Sequence, residues 1–438
     1  MLNRLFCVQT IALLFTWTSL SANTLPSESS KHNGVRKVVL SDAESFKTQI
    51  TRKNTVCVIS GIIDLKGAIV DIPEGVTLKF TEGGEIRHGI VKLSTGCKVV
   101  GGIFRFSTND AELYLYREQK MNSPIVAIDA SDISIEGTCF FYNAEPNTGS
   151  PCVVIYGTDY CCTNIKIKKC VFNGTGIGVY SNVDGATISE NIFDNSTHTL
   201  SVETLYDKRP YRNPKNVRFL SNTVTNTTPN LTFPIFWLSG VESLEISKNH
   251  IVTASDAIML YCGDGNIAMD RVTIRKNTFE ISRRKPSDDS WKHCIMVRGK
   301  SFPYQKEGLN FGNGILIADN DFLSHDNSVE TLGFKNRAIS ITWCNDITVK
   351  NNRAAGFSNF VVVADTFKGY CESVTHITIS KNKVIDTYDK PILITEEIGN
   401  GSIKRNKLVN CNVAEDVTKP LKELKSSVLT RNKIQFKR

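Results

Sequence analysis

The chain has 438 residues, an apolar fraction of 41% and a formal net charge of +8. That apolar content is enough for a packed core. The modest excess of cations is scattered along the chain without any nucleic-acid-binding motif, which argues against a nucleic-acid protein and favours an acidic partner such as a uronic-acid or sulfated glycan.

The N-terminus reads as a leader. Arg4 supplies a positive start, Ile11 to Trp17 an apolar stretch, and Ser19-Leu-Ser-Ala22 the small residues that suit cleavage after Ala22. The apolar run is shorter than the roughly 20 residues a membrane span needs, and no later segment is apolar enough to span. The expectation is a signal peptide over 1–22, a polar linker over 23–34 and one domain over 35–438, secreted to a periplasm or to the medium. Export permits disulfides. The spacing of the cysteines, twelve after cleavage, is not that of a disulfide scaffold, so most are expected to pack in the core. Ser41-Asp-Ala-Glu44 fits a helix capping box, with Phe46 and Ile50 on one face, and predicts a short helix over about 41–50 that covers an open end of the core.

From about residue 55 the chain shows period-two strands, irregular at first: Val56-Cys-Val58, Val76 to Phe80, Val91-Lys-Leu93 and Ile103 to Phe106. A pattern then recurs: apolar, any, apolar, two residues, Asn, any, apolar. It runs from Ile165-Lys-Ile167 with Cys170 in the Asn slot, through Asn191, Asn222, Asn249, Asn277, Asn320, Asn352 and Asn382, to weaker copies at Asn406 and Asn432, at intervals of 21 to 43 residues. A short unit with variable insertions marks a solenoid. Asn tolerates left-handed backbone angles and marks a tight bend, and stacked rungs would bring its amides into a ladder. A second strand family lies between the bends: Ile177, Leu200, Ile258, Ile295, Ile339, Val361 and Ile392 begin its members, each followed by a loop of uneven length. Those loops are expected to project from one side and build a groove. Lys419 to Lys425 could form a brief helical insertion before the last rung.

This organisation resembles the pectate-lyase-like right-handed parallel β-helix superfamily, which includes polysaccharide lyases and polygalacturonase-type hydrolases, over about residues 55–438. The fold expected is all-β, a right-handed parallel β-helix solenoid with a short N-terminal capping helix. Asp256-Ala-Ile-Met-Leu260 is similar to the Asp-Asp-Cys segment of the hydrolases, and His293-Cys-Ile295 to their Gly-His-Gly. The resemblance implies that Asp256 is the second aspartate and His293 the histidine. Ser255 stands where the acid aspartate would be, Phe233-Pro-Ile-Phe236 where Asn-Thr-Asp would be, and no Arg-Ile-Lys follows.

Two sets of candidates come from the residues themselves. Aligning the second strand family places Asp256, His293, Arg337, Asn359 and Lys390 two positions before the strand start, in one column with a rung spacing of about 4.8 Å. Acid, imidazole and guanidinium side by side suit acid/base chemistry with charge stabilisation. Arg298 and Lys300, at the loop end of one strand, are alternative bases or carboxylate-neutralising cations for β-elimination. The loops and strand ends bring substrate-binding candidates, since rings stack on sugars and cations pair with their carboxylates: Tyr206, Lys208, Arg209, Arg212, Tyr261, Asp264, Tyr304, Trp343, Asp365 and Glu396. Calcium is a possible cofactor through Glu203, Asp264, Asp365, Glu396 and Glu397, although no acidic loop has a defined ligand spacing. The expected function is cleavage of an acidic polysaccharide in a groove along one face. The alternative is a non-catalytic surface or glycan-binding β-helix.

Overall fold

The computed structural model describes residues 36–107, 110, 113–114, 120–143, 150–204, 212–227, 234–261, 269–282, 292–298, 314–325, 336–342, 344–363, 376–387, 389–394, 401–411, 429–430 and 433–435. The leader, the linker and the 419–425 segment lie outside them. Three long sheets account for almost all of the described strands: sheet A with 15, sheet B with 14 and sheet C with 12. The chain visits them in turn. Val183–Ser189 lies in A, Ile192–Asp194 in B and Leu200–Glu203 in C, and Lys215–Leu220 returns to A. Each strand pairs in parallel with its equivalent one rung away, so the chain winds as a parallel β-helix. The only antiparallel pair among the described residues is the small ribbon Leu113–Tyr114 with Lys120–Met121.

The observed register matches the sequence alignment of the second strand family. Ile177, Leu200, Phe236, Ile258, Ile295, Ile339, Val361 and Ile392 are successive neighbours across sheet C. The inserts are placed differently from expectation. Long segments follow sheet C, as between Tyr261 and Asp270, but others precede it, as between Ile281 and Lys292 or Ser324 and Asn336. Both edges of sheet C are therefore flanked by chain of variable length, whereas the corner from A to B takes two residues on every rung but one, where Thr81 to Gly84 lie between Phe80 and Glu85.

That tight corner is built by the Asn ladder. Asn277 accepts at Oδ1 from the backbone N–H of Asn249 at 2.9 Å and from its side-chain amide at 2.9 Å. It donates from Nδ2 to Ile246 O at 2.9 Å and to Asn320 Oδ1 at 3.0 Å. The same bonds repeat through Asn191, Asn222, Asn320, Asn352 and Asn382. The Asn does not itself take the left-handed conformation expected of it. The residue before it does: Lys169, Glu190, Ser221, Lys248, Lys276, Asp319, Asn351, Lys381 and Arg405 all have φ between 55° and 59°. The left-handed residue turns outward, and the Asn that follows is turned into the wall, where its amide replaces the ladder bonds that the corner interrupts. In the first rungs Gly101-Gly102 and Gly137-Thr138 occupy these two positions, which is why the motif is hard to see there.

Inside, apolar residues from each sheet stack rung on rung, two per strand in much of sheets A and C, as Leu244 with Ile246 and Ile258 with Leu260. Phe104, Phe140, Phe172 and Phe193 form a continuous column, with ring centroids 4.7 Å apart between Phe172 and Phe193. At the N-terminal end the helix Ala43–Gln49 packs against strands Arg36–Leu40 and Ile62–Asp64, burying Phe46. Its capping box is one residue later than the sequence motif suggested. Asp42 is the N-cap, accepting from Ser45 N at 2.7 Å, and the Ser45 hydroxyl returns to Asp42 N. The strand Arg36–Leu40, preceding this helix, was not expected and opens sheet A. No helix among the described residues is long and apolar enough to cross a membrane.

Eight of the ten described cysteines are buried, and Cys161 is exposed beside buried Cys162. Burial pushes the Cys152 and Cys170 thiols up to about 12 and the Cys162 thiol up to about 11. Iodoacetamide on the native protein should therefore label Cys161 before any other described cysteine, with the buried ones reacting only in denaturant; peptide mapping of the labelled protein checks this. His198 is the other group with a marked environment. Burial holds its imidazole below the ordinary 6.5. The unfolded chain takes up that proton first, so the folded state loses stability as pH falls below about 6.5, down to the depressed folded value. Between pH 7.5 and 5 the melting temperature should drop less in His198→Gln than in the parent protein; equal drops would show that His198 is not responsible.

Candidate functional site

Sheet C carries the residues that could do chemistry. Four successive strands open on a polar residue followed by a buried small or apolar one: Asp256-Ala257, His293-Cys294, Arg337-Ala338 and Asn359-Phe360. Register pairs His293 with Arg337, and Arg337 with Asn359. Asp256 joins the column through hydrogen bonds. Its Oδ1 accepts the backbone N–H of His293 at 2.7 Å and lies 3.0 Å from His293 Nδ1. His293 is only 7% exposed, while the Asp256 side chain keeps 27% of its surface. A carboxylate at Nδ1 favours the neutral tautomer with its proton on Nδ1, in which Nε2 carries the lone pair. Burial pushes the Arg337 guanidinium down from its ordinary range, opposed by the nearby charge of Asp389. The Asn359 amide donates to Lys390 O at 2.8 Å and to Asp389 Oδ2 at 3.2 Å, which continues the column one rung further.

Arg298 does not belong to this group. It ends the strand that starts at Lys292, five residues beyond His293, which puts it about 17 Å away along the sheet. It is exposed and sits in register with Tyr261. Between these two ends, the outward positions of sheet C form two rows. One runs Gly178, Ser201, Trp237, Met259, Met296, Ser340; the other runs Tyr156, Tyr180, Glu203, Ser239, Tyr261, Arg298, Thr342. Trp237 donates from Nε1 to the Tyr261 hydroxyl, and the two rings meet edge to face with centroids 4.7 Å apart. Tyr180 lies across Gly178, where a Cβ would come within 2.5 Å of the ring. Burial pushes the Tyr180 phenol far up. Trp237 and Tyr180 were not among the sequence candidates. The signal was available: both occupy outward slots of the same strand family that contains Tyr261.

Of the remaining candidates, Arg212 is exposed and is pinned by its N–H to Asn182 Oδ1 at 2.8 Å, just before sheet A resumes. Lys300, Tyr206, Lys208, Arg209, Asp264, Tyr304, Trp343, Asp365 and Glu396 lie outside the described residues. So do all the proposed calcium ligands except Glu203. Among the described residues no three acidic, His or Cys side chains converge to hold a metal ion. A shallow groove of about 600 Å³ lies elsewhere, on the outer face of sheet A, lined by Arg218, Glu245, Arg271 and Arg275. Its charges are largely paired within the wall, as between Arg275 and Glu245 at 2.8 Å.

No protein-family model matches the chain, and no curated protein matches it in sequence. Solved structures do. An exopolygalacturonase from Thermotoga maritima aligns with TM-score 0.48 and 11% identity, over 83% of this chain and 88% of that one. An alginate lyase in complex with a trisaccharide aligns with TM-score 0.49 and 14% identity, over 84% and 85%. PfbA, a surface adhesin of Streptococcus pneumoniae, aligns with TM-score 0.48 and 15% identity, over 90% and 83%. The likeness is one of fold, the right-handed parallel β-helix. On this β-helix the polar column and the two outward rows share one sheet. Within those rows Tyr156, Tyr180, Ser201, Ser239, Met259, Met296, Ser340 and Thr342 are buried, while Glu203, Trp237 and Tyr261 are partly exposed and Arg298 is exposed, so the surface open to a polymer is centred on these last four.

Proposed function

We propose that the protein acts on an acidic polysaccharide bound along the outer face of sheet C, with His293 as the proton acceptor. The observation that carries this reading is the Asp256 Oδ1 to His293 Nδ1 contact of 3.0 Å, which leaves Nε2 as the basic atom. Arg337, one rung on, supplies a cation beside it, and Trp237 and Tyr261 offer ring surface. Proton abstraction beside a uronate carboxylate needs a base and a neutralising cation, and both types are present in the column. Two-carboxylate hydrolysis is served less well. It needs carboxyl groups roughly 5 to 9.5 Å apart, and Glu203 lies five residues along the sheet and two rungs away from Asp256, about 19 Å.

A second reading, a non-catalytic glycan-binding β-helix, is favoured by a specific contact. Asp256 Oδ1 also takes the His293 backbone N–H at 2.7 Å, as a purely structural ladder would require. A screen of the whole protein against polygalacturonate, alginate and neutral glucans separates the two. Absorbance of an unsaturated product supports elimination, and new reducing ends without it would shift the reading to hydrolysis. Binding without any product would overturn the enzymatic reading.

A further inference from the structure

A second surface lies across the molecule from sheet C, at the corner between sheets A and B. On the last rungs the bend motif becomes basic on both sides of its Asn: Lys350-Asn-Asn-Arg353, Ser380-Lys-Asn-Lys383 and Lys404-Arg-Asn-Lys407, with Thr430-Arg-Asn-Lys433 repeating it in sequence. Earlier rungs carry mixed residues at the same two places: Glu190 and Ile192, Ser221 and Thr223, Lys276 and Thr278, Asp319 and Asp321. The fold turns this repeat into columns. Arg353, Lys383, Lys407 and Lys433 are successive register partners in sheet B, and Lys350 and Lys404 flank Ser380 in sheet A. Lys381 and Arg405 take the left-handed positions between those columns, with φ of 57° and 58°.

Arg353, Lys381, Lys383, Lys404, Arg405 and Lys407 are all exposed. None forms an ion pair among the described residues. The carboxylates nearest in the lattice of rungs are Asp319 and Asp321 at the start of the strip and Asp386 beyond its edge, and Asp386 already accepts from Asn410 Nδ2 at 2.8 Å. Like charges directly opposite on neighbouring strands oppose folding, and here they recur at about 4.8 Å over three intervals. Asp321 stands opposite Arg353 at the head of the strip, but Lys383 and Lys407 have only cations opposite them in sheet B, so that part of the strip is matched to a balancing charge from outside. Its form selects the partner. It is a line along the helix axis, about 14 Å long, and not a disc that could lie flat on a bilayer. The outward neighbours along the strip, Ala355, Ile385 and Val409, include no aromatic ring on which a base could stack.

We propose that this corner is a non-catalytic binding surface for an acidic polysaccharide, which holds carboxylate or sulfate groups in file along the rungs. It stands apart from the sheet C site, so either can fail alone. The test is affinity electrophoresis of the full-length protein through gels containing polygalacturonate, alginate, dextran sulfate or neutral dextran. The variants are Lys383→Glu/Lys407→Glu and the milder Lys383→Gln/Lys407→Gln, each checked for an unchanged unfolding midpoint. The parent protein should be retarded by polyanions and not by dextran. The Glu pair should weaken binding at least about tenfold and lower its salt dependence, with the Gln pair between. Retardation by the polyuronates assigns the strip to carboxylates, and by dextran sulfate alone to sulfates. His293→Ala should stay retarded while losing turnover. Equal retardation of parent and both variants would overturn the proposal, as would tighter binding to phosphatidylglycerol vesicles or to single-stranded DNA than to any acidic glycan.

Discussion

Asn277→Ala should lower the stability of the folded chain by about 3–5 kcal/mol, because it orphans several buried polar groups at once. Asn277 sits in the middle of the ladder, 1% exposed. Its removal leaves the backbone N–H and the side-chain amide of Asn249 without their acceptor, and Ile246 O without its donor. Each such loss costs roughly 1–3 kcal/mol, and water has little access to repair them. Lys276→Gly is the matched control. It removes a side chain from a left-handed position that costs an L-residue about 1–2 kcal/mol, while glycine gives back part of that gain through chain entropy. The control should therefore be neutral or slightly stabilising. Urea unfolding of the pair measures both, and Asn277→Ala within about 1 kcal/mol of the parent would show that the ladder does not hold the corner. Adjacent rungs share the same amides, so Asn249→Ala together with Asn277→Ala should fall short of the sum of the single losses.

His293→Ala should reduce turnover of the acidic glycan about 10²- to 10⁴-fold, the usual worth of a positioned acid or base, with little change in KM, because the glycan contacts proposed for Trp237 and Tyr261 remain. Asp256→Asn should be milder. An asparagine Oδ1 still accepts from His293 N, but the negative charge that orders the imidazole is gone. Trp237→Ala should show the complementary pattern, a raised KM with turnover less affected. These outcomes separate a residue that moves a proton from one that holds a sugar. Full turnover in both His293→Ala and Asp256→Asn would remove the column from the chemistry and move attention to Arg298 at the other end of the strand.

Much of the fold was legible because stacking forces the same residue to recur at the same place on each turn. A ladder amide works only when the next rung presents another, so Asn191 to Asn406 had to repeat, and the register of Ile258, Ile295, Ile339 and Val361 followed. The left-handed residue was misplaced by one position, since asparagine is the residue that tolerates that conformation best. The sequence held the correction: the positions before each Asn are Lys, Glu, Ser, Asp, Asn or Arg and never β-branched. The site was less legible. The alignment brought Asp256, His293 and Arg337 together and set Arg298 at the far end of the strand from His293, as the structure has it. Trp237 carries no motif of its own, and its outward slot shows only in the row that runs through Met259 and Met296. The first rungs hide their corners because Gly101 and Gly137 take the left-handed position there, and Gly102 and Thr138 stand where the Asn comes later.

The constant corner between sheets A and B has a consequence for how this molecule can change. Rotation and pitch are set at that seam by a two-residue device that recurs without change of length from Val100 to Lys407. Both borders of sheet C are free of that duty, and segments there already differ in length from turn to turn. Chain can be added or removed at those borders without dephasing the turns above and below, so recognition can be rewritten while the column behind it stays in step.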